Sequence, residues 1–181
     1  MKAALPAFAF LAAAAVPAGG AQGQVPWNPR APENNQRYAA FNYASVEQVL
    51  GAIGAKAQRS GANPAKPMLV VTFPNGRRAV ITLLSCTVDG SACRALGIQS
   101  SWNAPAGVAL PRLAAAIETF NQRYSFSKAY MSGAGRPAVQ RYLTADYGFI
   151  RGDLAVNMLV FAQQADRFAN EVLRPLATGA R

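Results

Sequence analysis

Hydrophobic positions along this chain alternate between two spacings, and the switches predict the elements in order. Val46, Val49, Leu50, Ile53 and Ala57 recur on one helical face. Ser45-Val46-Glu47-Gln48 before them reads as a capping box, and Gly61-Ala62-Asn63-Pro64 as the helix end. Met68–Phe73 and Ala79–Leu84 are β-branched and apolar, and Pro74-Asn75-Gly76-Arg77 between them predicts a hairpin turn. A third strand follows over 95–102, after the turn Thr87–Ala92. Pro111 suits the first turn of a second helix, striped by Leu113, Ala116, Ile117, Phe120 and Tyr124. Strands over 125–131 and 139–145 are joined by the turn-rich stretch 132–137. Asp153 is placed to cap a last helix, with Leu154, Met158, Phe161, Ala165, Phe168 and Val172 on one face and Pro175 as its stop.

The predicted order is α-β-β-β-α-β-β-α. Antiparallel hairpins framed by helices imply an α+β fold, one antiparallel sheet packed by helices on a face. Strands this apolar need such cover, and the last helix is the best placed to supply it.

The first residues follow a different logic. Met1-Lys2 is positive, residues 3–18 are apolar, and small residues lead to Ala21. That order is the pattern of a secretory signal peptide over 1–21, with Ala18 as an alternative cleavage point. An uncleaved anchor would need about 20 apolar residues, more than this stretch offers. The expected location is therefore periplasmic or secreted. Residues 22–44 are rich in Pro and Asn and read as an exposed tether or irregular arm, with Trp27 packing locally. The domain is expected over 45–176, and 177–181 as a disordered tail.

Composition now narrows the chemistry. The 181 residues include no histidine, two cysteines and eight carboxylates, against 18 Lys and Arg, for a net charge of +10. Ser-His-Asp triads, Cys-His dyads and histidine-ligated metals are excluded. No catalytic residue, metal ligand or cofactor site is assigned. Cys86 and Cys93 flank a strand-to-strand turn. In an exported chain they are most simply a disulfide. So small a closed loop is worth about 2.5 kcal/mol on the chain-entropy account. A redox pair would usually have two intervening residues, and a metal site would need more ligands.

The segment Leu84-Ser85-Cys86-Thr87-Val88-Asp89-Gly90-Ser91-Ala92-Cys93 resembles the strand-Cys-turn-Cys-strand of YbjN-domain proteins. Ile117-Glu118-Thr119-Phe120-Asn121-Gln122-Arg123-Tyr124, running on to Ala129-Tyr130, is similar to that family's helix-to-strand signature. The stretch from Tyr142 through Gly152-Asp153 fits its remaining block. The resemblance spans about residues 43–175. It implies a fold like the type III secretion chaperones, which bind polypeptides as dimers, and a regulatory rather than enzymatic role in sensory transduction. Phe120, Asn121, Arg123, Tyr130 and Gly152 are the motif residues it singles out, in structural roles. This chain departs from the pattern at Glu118, at Phe120 where Trp is usual, and in an acidic segment reduced to Asp146 and Asp153.

The remaining candidates have plainer readings. Asn121 would cap the second helix and Arg123 would meet its dipole. Trp102, Phe126 and Tyr130 belong to the core or a sheet face. Gly133-Ala134-Gly135-Arg136 lacks the strand-to-helix setting and the Lys-Ser/Thr ending of a phosphate loop. Asp146 and Asp153 serve a strand end and a helix cap. The basic residues are scattered, with Arg77-Arg78 the longest run, so nucleic acid is not an expected partner. A protein partner, with a homodimer as one form, is expected first. The alternative is an envelope module whose arginines meet anionic lipid head groups or glycans.

Overall fold

The first helix is set by a cap that lies upstream of the predicted one. In the computed structural model, which describes residues 27–133 and 135–179, α1 runs Tyr43–Ala52. Asn42 is its cap: Oδ1 accepts from the Ser45 N–H at 2.9 Å, and Ser45 Oγ accepts from the Asn42 N–H at 3.1 Å. Ser45 is thus the third helical residue of a reciprocal capping box, not its first member. The helix also stops early. Gly54 takes φ +74°, its N–H reaches Gly51 O at 3.0 Å, and Ala55 N–H reaches Leu50 O at 2.9 Å. This Schellman ending turns the chain sharply. Residues beyond it become a strand, so Ala57 is exposed on that strand and not on the helix stripe.

That strand, β2 (Lys56–Ser60), was hidden in the sequence because Ala57 is its one apolar residue and the strand is exposed along almost its whole length. It is an edge strand, where charged side chains discourage pairing with other chains. Arg59 ties it to α1, with two 2.7 Å bonds to the Glu47 carboxylate and its guanidinium 4.5 Å above the Tyr43 ring.

β3 (Met68–Thr72), β4 (Arg78–Cys86), β5 (Cys93–Ser101), β6 (Lys128–Met131) and β7 (Pro137–Thr144) complete an antiparallel sheet ordered β2-β3-β4-β5-β7-β6. α2 (Leu110–Arg123) carries the chain from β5 to the far edge. The β3–β4 turn falls at Pro74–Arg77 as predicted. Asn75 Nδ2 donates to Ala162 O at 2.9 Å and Arg77 pairs with Asp166 at 2.7 Å, so the turn is docked on the last helix.

Alternation decides the layers. Leu69 and Val71, Ala79, Ile81 and Leu83, and Leu96 and Ile98 are buried with Val46, Val49 and Leu50 of α1, Leu113 and Ile117 of α2, and Met158 and Phe161 of α3. Each such Val, Leu, Ile, Met or Phe side chain contributes about 1.5–3 kcal/mol of burial free energy. The fold is α+β, one large antiparallel sheet packed by helices.

α3 spans Arg151–Arg167. Asp153 does not cap it. The cap is Ile150, and Asp153 lies in the first turn, where a carboxylate favours the helix's positive end. Pro175 does not end the helical run either. A π-helical turn, Phe168–Leu173, breaks the bonding register, and α4 (Arg174–Thr178) restarts with Pro175 in its first turn. There its missing N–H forfeits no helical bond. Helix therefore reaches into the stretch 177–181 read as a disordered tail.

From Trp27 onward the arm packs against the domain, and Trp27 itself lies against the core. A 3-10 turn, Pro32–Asn35, buries Asn34, and β1 (Arg37–Tyr38) pairs with β8 (Phe149–Ile150). Phe41 is fully buried, stacks on Phe149 at 4.6 Å, and exchanges two backbone bonds with Cys93. Aromatic residues among the prolines supply the burial that the broken periodicity concealed. The leader read over 1–21 lies outside the described residues.

Candidate functional site

The helices pack on one face of the sheet, and among the described residues the other face is open. Its floor follows from the register. One row across the strands reads Val70, Val80, Gln99, Gln140, Lys128, and the next reads Met68, Thr82, Gly97, Tyr142. Apart from Gly97, which is buried, these positions alternate with the buried ones, and Val70, Val80, Thr82, Leu84, Gln99 and Gln140 are half-buried.

Two clefts lie along this face. One, of about 480 Å³, has Val70, Val80, Gln99 and Ser101 on its floor and Arg78 and Arg136 on its rim. The other, of about 380 Å³, is lined by Met68, Thr82, Leu84, Gly97 and Gln140, with Lys66 at its margin. Val80 and Gln99 border both, so the two form one trough along β4 and β5. From Arg78 to Leu84 an extended strand covers roughly 20 Å, the reach of about six residues.

The trough offers hydrogen bonds as well as apolar surface. Tyr130 Oη donates to Gln99 Oε1 at 3.0 Å, which fixes that amide. The Gln140 side chain makes no hydrogen bond among the described residues, so its amide is available for both donation and acceptance. Gly97 lies beneath Leu84 and Gln140, whose atoms would stand 3.8 and 3.9 Å from a Cβ placed there.

The motif residues do not converge on this face. Phe120 is buried and meets Phe168 edge-on at 5.1 Å. Asn121 does not cap α2; its amide makes two 2.8 Å bonds to the backbone of Ala129. Arg123 lies in the last turn of α2, 3.7 Å from Glu171 of the π-helical turn. Gly152 lies in the first turn of α3, where a Cβ would come within 3.0 Å of Asn34 Cβ and O. Tyr130 alone borders the open face, through Gln99.

Cys86 and Cys93 face one another across β4 and β5 and form a disulfide, with Cα atoms 3.8 Å apart. The turn they close is ordered by Asp89. Its Oδ1 accepts from Thr87 Oγ1 at 2.6 Å, from Ser91 N–H at 3.1 Å and from Ser91 Oγ at 2.9 Å. The Thr87 hydroxyl above all, and then Ser91, lower its carboxyl to about 2. Gly90 packs the turn on the loop before β3: at φ +72° a Cβ there would lie 2.2 Å from Pro64 O.

Asp146 and Asp153 stand apart in role, one in a tight turn bridging to Gly148 and the other in the first turn of α3. Among the described residues no group of acidic or cysteine side chains is arranged to hold a metal ion, and no helix is long and apolar enough to cross a membrane. The sequence reading missed the trough because Val70, Val80 and Leu84 make both faces of the strands look apolar. The signal was the run Arg78-Val80-Thr82-Leu84, amphipathic at a spacing of two.

No curated protein matches the sequence. Among solved structures, an uncharacterized protein from Methanothermobacter thermautotrophicus is similar at a TM-score of 0.48 and 11% identity, over 74% of this chain and 99% of that one. The family described as "Putative bacterial sensory transduction regulator" matches residues 42–174, which contain the whole six-stranded sheet, α2 and α3. The chain therefore belongs to the YbjN family.

Proposed function

We propose that this YbjN domain is a non-enzymatic binding module that takes an extended polypeptide segment on the open face of its sheet, in a regulatory or chaperone-like role. The observation that carries the reading is the continuous trough over β4 and β5. Its Val70, Val80 and Leu84 surface suits side chains, while the amides of Gln99 and Gln140 suit a peptide backbone. Clefts that mix apolar surface with a few placed polar groups are the usual form of a binding site. The regulator description of the family agrees with binding rather than catalysis.

The domain is further proposed to act outside the cytoplasm after removal of residues 1–21. The cross-strand disulfide supports this, because such bonds persist in oxidising compartments.

The test is an NMR titration of the domain with unstructured short peptides of acidic, neutral and basic composition. Shifts concentrated on β4, β5 and β7 with any of them support the reading. Shifts confined to the helices, or none with any peptide, contradict it.

A further inference from the structure

Charge is distributed unevenly over this molecule. The sequence holds eight carboxylates, at Glu33, Glu47, Asp89, Glu118, Asp146, Asp153, Asp166 and Glu171. None of them lines the trough. Several are already engaged elsewhere: Glu47 with Arg59, Asp166 with Arg77, Glu171 with Tyr124 and Arg123, and Asp89 within its own turn.

Cations, in contrast, stand on its rim. Arg78 and Arg136 are exposed at one end of the trough, and among the described residues neither forms an ion pair. Lys66 is exposed at the other end, also without an ion pair among the described residues. Arg78 begins β4, with Val80, Thr82 and Leu84 following on the same face. Arg136 ends the turn before β7, where Ser132 N–H bonds its carbonyl at 2.9 Å, so its backbone is fixed beside the cleft. An apolar floor with unpaired guanidinium groups at one end is complementary to a segment that carries carboxylates beside apolar side chains.

We infer that the occupant of the trough is an acidic polypeptide segment, bound extended along β4 with a carboxylate between Arg78 and Arg136. This rests on the peptide-binding reading above and adds the chemistry of the partner. Guanidinium forks bind carboxylates in two-pronged fashion, which gives the segment a direction as well as an affinity.

Fluorescence anisotropy with labelled short peptides, matched in apolar content but acidic, neutral or basic, tests it at low salt. The acidic peptide is expected to bind about tenfold tighter than the neutral one, the ratio for two exposed charge contacts. That advantage is expected to shrink as salt rises. In the variant Arg78→Gln with Arg136→Gln the advantage is expected to disappear. In the control Arg30→Gln with Arg112→Gln, which changes net charge equally, it is expected to persist. Arg78→Glu with Arg136→Glu is expected to turn the preference toward the basic peptide, which a merely damaged fold would not do.

Equal binding of acidic and neutral peptides, or equal loss in the control, overturns the inference while leaving the peptide-binding reading intact. Binding of no peptide at all overturns both. Binding to phosphatidylglycerol vesicles without binding to acidic peptide overturns the inference in favour of a lipid surface.

Discussion

The side-chain amide of Asn121 closes a two-bond clamp on the backbone of Ala129: Nδ2 donates to its carbonyl and Oδ1 accepts from its N–H, each at 2.8 Å. The clamp joins the end of α2 to edge strand β6, which in turn carries Tyr130 to Gln99 on the open face. Asn121→Ala leaves two partly buried backbone groups unpaired and is expected to cost about 2–3 kcal/mol. Asn121→Asp keeps the acceptor but loses the donor, and is expected to cost less. Denaturant unfolding of the three proteins checks the order.

Gly152 is a close-approach position. A methyl group there would meet Asn34 at 3.0 Å, on both its Cβ and its carbonyl oxygen. Gly152→Ala is expected to destabilise by roughly 1–3 kcal/mol, as overpacking does. Hydrogen exchange localises the effect: protection should fall around residues 32–38, where the 3-10 turn and β1 hold the N-terminal segment. An effect spread evenly over the sheet would contradict this assignment.

The Cys86–Cys93 bridge spans a short loop in the register of a hairpin already formed. Cys86→Ser with Cys93→Ser is expected to lower stability by about 2–3 kcal/mol. Because Cys93 exchanges two backbone bonds with Phe41, local opening should spread to the residues around Phe41. Equilibrium unfolding and hydrogen exchange of this variant report the two effects separately.

The Asp89 carboxyl gives the fold an acid-sensitive element. Its acidity is strengthened to about 2 by Thr87 and Ser91. A carboxylate with a depressed folded value stabilises above its unfolded value, near 4, and the contribution disappears as pH falls to about 2. Asp89→Asn is therefore expected to be less stable than the wild type at neutral pH, and the gap should close as pH falls between about 4 and 2. Thermal unfolding against pH checks it; a gap that widens on acidification would be the wrong sign.

Much of the fold was legible in periodicity. The stripe of Leu154, Met158, Phe161, Ala165 and Phe168 and the hairpin at Asn75-Gly76 lie where the pattern placed them. What escaped was decided by contacts distant in sequence. β2 carries no apolar alternation, and its pairing with β3 turns on the Gly54 ending of α1. The helix through Pro175 depends on a π-helical turn that no residue pattern announces. Asn121 was legible as important but not as a clamp, since Ala129 comes into reach only once β6 folds back. The trough was least legible, because period-two patterning shows that strands have two faces without showing which one the helices cover.

Photo-crosslinking tests the central claim most directly. A photoreactive phenylalanine analogue at Thr82 lies on the floor of the trough, and one at exposed Glu118 lies on α2, away from it. With an unstructured acidic polypeptide as probe, the account expects adducts from position 82, suppressed by excess unlabelled probe, and none from position 118. Adducts from position 118 alone, or equal and uncompeted labelling from both, would contradict the claim that the open sheet face is where this domain binds its partner.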